Sequence, residues 1–215
     1  MKELRFYVIY LTLLATIVGL IYYRKLPNKK AKLLWVLILL SFLAEFVGRN
    51  FFDWFGLKNY IVFNLYDLIT FSGYIIILGL LLKKTVNKRI ANGLLLLVNS
   101  SFIINMVYFQ DIFNGMLTTF FTVACTSVFL LSSLYFVEMF SSNKASHYKK
   151  SIYFWHIVGI LIFYIPFLPY LIASKMFLFN EELMPTFSVA IFGLNVLMYS
   201  SFIIGFIWSQ KKYNY

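Results

Sequence analysis

Seven apolar runs of 18 to 25 residues, separated by short polar connections, decide what this chain can fold into. They extend from Phe6 to Tyr23, Leu33 to Phe51, Tyr60 to Leu82, Ile90 to Tyr108, Met116 to Phe140, Ile152 to Ala173 and Thr186 to Trp208. A bilayer core of about 30 Å needs about 20 residues of helix at a rise of about 1.5 Å per residue. The runs therefore predict an all-α polytopic membrane protein with seven transmembrane helices in a single domain, residues 1–215. Composition agrees. Charged residues make up 13% of the chain and apolar residues 61%, where a soluble domain carries about a quarter charged. The first run follows Lys2 and Arg5 as a signal peptide would, yet it passes into Arg24 and Lys25 without a small-residue cleavage site, so a retained helix is expected.

Orientation follows from the cations, because short Lys- and Arg-rich connections stay in the cytoplasm. Of 19 such residues, fourteen fall in the connections after the first, third and fifth runs and in the C-terminal tail. The other five, Lys2, Arg5, Arg49, Lys58 and Lys175, lie on the opposite side. This predicts the N-terminus outside and the C-terminus inside. The acids agree: Glu3, Asp53, Asp111, Glu181 and Glu182 are placed outside, and Glu45, Asp67 and Glu138 fall within or at the edge of the runs. The net charge of +11 sits in short clusters between apolar runs, a membrane-topology pattern and not a nucleic-acid-binding face.

Against this background the stretch from Ser41 to Asp67 departs from the rule. Ionisable groups within a span cost about 2.5 to 3.5 kcal/mol each on insertion scales, so Glu45, Arg49 and Asp67 must face protein or water. Ser41, Glu45 and Arg49 are spaced i, i+4, i+8 on one helical face, with the acid before the base in the favourable order. On the next run Asn64, Asp67, Phe71 and Tyr74 recur at three- or four-residue spacing. Counted from the predicted helix ends, Glu45 lies about 9 Å and Asp67 about 10 Å below the outer surface, so the two carboxylates are expected to be level. One reading is a salt-bridge knot fastening two helices. The other is an outward-facing polar pocket in which Ser41, Glu45, Arg49, Asn64, Asp67 and Asn105 hold a ligand or pass a proton, and two acids against one base favour it.

At the inner side Glu138 ends the fifth run and His156 lies one turn and a half into the sixth; the two read either as a proton-sensitive pair or, the commoner case for a lone histidine near an interface, as structural residues. The remaining polar positions, such as Asn99, Asn195 and the seam Thr118, Thr122, Cys125, Thr126 and Ser133, read as helix packing. Pro166 and Pro169 should bend or end the sixth helix. Two histidines and one cysteine supply no metal centre and no internal disulfide. Phosphate-binding, dinucleotide and nucleophile-elbow motifs are absent, and no lysine lies inside a run to carry a retinal Schiff base, so no cofactor is expected.

The run Glu45 to Arg49, then Asn64-Leu65-Tyr66-Asp67, and later Phe154-Trp155 with Gly159 to Tyr164, resembles a pattern in small bacterial seven-helix integral membrane proteins of unassigned role. The resemblance implies the seven-helix fold and implies no activity. The expected function is a sensor or receptor-like protein of the bacterial inner membrane, binding a small polar or amphipathic ligand or lipid from outside and signalling through a partner, its cationic inner loops offering a surface for an acidic cytoplasmic protein or anionic lipid. A transporter or proton-coupled channel is the alternative. An intramembrane lipid-modifying enzyme with Glu45 and Asp67 as acid and base is a third class.

Overall fold

The computed structural model describes residues 4–141, 145–175 and 184–214. Glu3, Glu181 and Glu182 lie outside the described residues. Within them every regular element is helical: α1 (Val8–Ile21), α2 (Lys29–Phe55), α3 (Tyr60–Leu81), α4 (Thr85–Ile104), α5 (Thr118–Phe140), α6 (Ile152–Lys175) and α7 (Met184–Trp208). Six of these, α2 to α7, are long and apolar enough to cross a membrane, as in a multi-pass membrane protein. The first is different. It has 14 residues, about 21 Å at the standard rise, and is flanked by 3₁₀ turns at Leu4–Tyr7 and Tyr23–Lys25.

Two helices begin a turn or more ahead of their apolar runs. Asn28 accepts a bond from the Ala31 amide (3.1 Å) and so starts α2 four residues ahead of Leu33. α4 starts at Thr85, which puts Lys88 and Arg89 inside its first turns. At its far end α4 widens into a π-helical turn, Asn105–Phe109. α6 continues through both prolines to Lys175.

The chain forms two compact units. One comprises Met1–Ile38 and His147–Tyr215. Its helices meet through glycines. A Cβ on Gly159 would stand 2.9 Å from the Phe202 ring and 3.0 Å from the Met198 carbonyl, and one on Gly19 would strike Trp35 and Phe206. The Trp35 indole donates to the Thr16 carbonyl (3.0 Å). The C-terminal tail closes this unit, because Asn214 Oδ1 accepts from the Ile152 amide (2.7 Å) and the Ser151 hydroxyl (3.3 Å) and so caps α6.

The other unit comprises Leu39–Ser146. Its core is aromatic. Phe71 of α3 meets Phe120 and Phe121 of α5 edge to face at 6.2 and 5.2 Å, and Phe102 of α4 meets Phe120 at 5.1 Å. The polar side chains singled out between Ser41 and Asp67 all belong to this unit.

Candidate functional site

Two hydrogen bonds set the register of α2 against α3. Asn59 Nδ2 donates to the Gly48 carbonyl (2.8 Å), and Ser41 Oγ lies 2.6 Å from the Tyr66 phenol, seven residues further along each antiparallel helix. A Cβ on Gly48 would stand 2.8 Å from the tip of the Phe63 ring, so a larger residue there would have to displace that ring. In this register Glu45 faces Val62 and Asp67 faces Leu40. Asp67 therefore lies about 7 Å deeper than Glu45 along the helices. α2 continues to Phe55, four residues past the end of its apolar run, so Glu45 lies about 6 Å further from the helix end than the run implies. Glu45 is half-buried and Arg49, one turn above it, is exposed.

Asp67 is 8% exposed and makes no hydrogen bond or ion pair among the described residues. Its surroundings are polar all the same. The Tyr66 phenol, bonded to Ser41, is within electrostatic reach of both Asp67 and Glu45. The Tyr74 hydroxyl lies near that of Tyr66, and the Cys125 thiol of α5 lies near Asp67. Ser132, fully buried two turns further along α5, has a hydroxyl with no partner. The surroundings of Asp67 thus include two phenols, the hydroxyls of Ser41 and Thr70 and a thiol, with no cation paired to the carboxyl group among the described residues.

Asn64 and Asn105 do different work. The first amides of α5 have no partner inside the helix, and three carboxamides supply them. Asn64 Oδ1 accepts from the Leu117 amide (3.0 Å), Gln110 Oε1 from Thr118 (2.8 Å) and Asn105 Oδ1 from Phe120 (3.2 Å). Asn64 Nδ2 also donates to the carbonyls of Ile112 (3.0 Å) and Gly115 (2.9 Å), and Asn105 Nδ2 donates to Gln110 (2.9 Å). Asp111 pins the same loop by accepting from the Phe113 amide (2.8 Å) and the Asn114 side chain. That backbone bond, then the Asn114 bond, holds the Asp111 carboxyl below its ordinary value. Gln110 and Asp111 were not among the residues singled out by sequence. The signal available was a polar pair followed by Asn114-Gly115, immediately before an apolar run.

Glu138 and His156 each have partners within their own unit. The Glu138 carboxylate accepts from the amides of Lys83 (2.6 Å) and Lys84 (3.2 Å) and from Asn87 Nδ2 (2.6 Å), placing negative charge at the N-terminus of α4. His156 is buried, stacked on Phe202 at 4.8 Å with Phe206 at its edge. Its Nδ1 lies 3.0 Å from the Ile152 carbonyl, so that nitrogen carries the proton, and Nε2 has no partner. Among the described residues no three acids, histidines or cysteines converge as metal ligands.

Comparison with protein-family models, with curated proteins and with solved structures gives no match to this chain.

Proposed function

We propose that this chain is a cation-coupled membrane transport protein in which Asp67 takes up and releases a proton or a monovalent cation. One observation carries the reading: Asp67 is a buried acid on a membrane-crossing helix with neither an ion pair nor a hydrogen bond among the described residues. Burial with no cation paired to it disfavours the charged carboxylate, so a proton or a cation is taken up there. Ionisable groups in such positions mark ion pathways and proton relays. Glu45, half-buried and nearer the Asn59 end, serves as an entry station, and the Ser41–Tyr66 pair is the hydroxyl bridge between the two acids. The cation-rich end faces the cytoplasm of a bacterial inner membrane, with the N-terminus outside.

The experiment is cation entry into proteoliposomes under an imposed potential, read by a lumenal pH dye and by sodium tracer. Asp67→Asn should lower the flux at least tenfold with an unchanged melting temperature, and Glu45→Gln should lower it less. Equal flux through wild type and Asp67→Asn overturns the reading.

A sensor remains the second reading, with one observation in its favour. Asn64, one turn from Asp67, holds the loop at Ile112, Gly115 and Leu117 by three bonds. Occupancy at Asp67 then has a short mechanical route to that loop. Ligand- or pH-dependent proteolysis at Asn114, lost in Asp67→Asn and seen without any flux, would favour it over transport.

A further inference from the structure

A groove of about 300 Å³ opens on the surface of the second unit between α3 and α4, at the end that carries Lys83, Lys84, Lys88 and Arg89. On the α4 side it is lined by Lys88, Asn92 and Leu95, spaced i, i+4, i+7 on one helical face. Opposite them stand Ile76 and Leu80 of α3, both exposed side chains on a membrane-crossing helix. Its floor is a close contact of small residues, because a Cβ on Gly79 would stand 3.0 Å from that of Ala91.

The order of chemistry along this groove is a cation, then an amide, then hydrocarbon. Lys88 lies one turn inside the start of α4, Asn92 about 6 Å deeper, and Leu95 about 4 Å deeper again. The Lys88 ammonium group makes no ion pair or hydrogen bond among the described residues, while the nearby acid, Glu138, is held by the amides of Lys83 and Lys84. Lys83, Lys84 and Arg89 add positive charge at the same level. An anionic phospholipid presents the complementary series: phosphate, glycerol esters, acyl chain. The bilayer around these helices supplies it, and cationic pockets between helices at that level bind anionic head groups.

We propose that the α3–α4 groove binds one anionic phospholipid, with its phosphate on Lys88, its glycerol esters at Asn92 and an acyl chain along Leu95, Ile76 and Leu80. The site is independent of the reading at Asp67.

The test is native mass spectrometry of the full chain released from nanodiscs of phosphatidylglycerol and phosphatidylcholine with matched chains. One phosphatidylglycerol should be retained per protein, at least tenfold over phosphatidylcholine. Lys88→Glu should lower that retention at least tenfold and Lys88→Arg should keep it. Arg89→Glu makes the same charge change at the same depth on another face of α4 and should lower retention less than threefold. Equal retention of the two lipids, equal losses in Lys88→Glu and Arg89→Glu, or displacement of the lipid by inorganic phosphate would each overturn the proposal.

Discussion

The Ser41 hydroxyl and the Tyr66 phenol stand 2.6 Å apart, joining α2 to α3 at the residue before Asp67. This bond fixes one helix against the other and leaves Asp67, its neighbour in sequence, without a bond of its own. A bond of this kind contributes about 0.6 kcal/mol on average between membrane helices and at most about 2. Tyr66→Phe and Ser41→Ala should each lower stability by about 1 kcal/mol, with the double variant no worse than either. Denaturant unfolding of the four proteins in one detergent measures this, and additive losses would show that the bond contributes nothing.

Asn64 carries more. Replacing it with leucine strips partners from the Leu117 amide and from the carbonyls of Ile112 and Gly115. Each buried group left unpaired costs about 1 to 3 kcal/mol, so Asn64→Leu should destabilise by about 3 kcal/mol or more. Asn64→Asp keeps the acceptor for Leu117 and should fall between. Hydrogen exchange at the Leu117 amide should quicken in the leucine variant and change little in the aspartate one.

At the other end of α5, Glu138→Gln retains one acceptor oxygen and removes the charge from the start of α4. A loss of about 1 kcal/mol is expected, the usual size for a helix N-terminal acceptor. Faster hydrogen exchange confined to residues 83 to 88 would locate the effect.

Asp111 supplies a pH dependence of known sign. The Phe113 amide, then the Asn114 side chain, stabilise its charged form and hold the carboxyl below the ordinary aspartate value. Loop order from this group is therefore complete above the ordinary aspartate range and is lost as pH falls through the lowered folded value. A carboxyl NMR titration should place Asp111 below the ordinary aspartate value, and Asp111→Asn should abolish the acid-induced loosening of the loop.

Six long helices could be read from apolar run length alone, because hydrocarbon thickness and helix rise leave little freedom. The polar centre was legible too, since any charge within a span stands out. Partners were not. The start of α4 runs through Lys88 and Arg89, where a count of apolar residues breaks off, and the group that satisfies it, Glu138, is about fifty residues away. The apolar run also ends α2 at Phe51, whereas the helix continues through the polar and aromatic sequence to Phe55, because helix formation does not require every residue to be apolar. Asn64 and Asn105 were visible as polar positions. Their use as caps depends on the loop after Gln110 folding back across them, a long-range fact that local spacing does not contain.

The two ends of α5 differ in timing. A chain is made from its N-terminus, so Asn64, Asn105 and Gln110 exist before the Leu117, Thr118 and Phe120 amides they receive. α5 can enter the bilayer with its leading end already matched. α4 has the opposite history, for its first amides wait until Glu138 has been synthesised and α5 has crossed. The two ends of α5 thus differ in whether the capping group comes before or after the helix it caps in the chain.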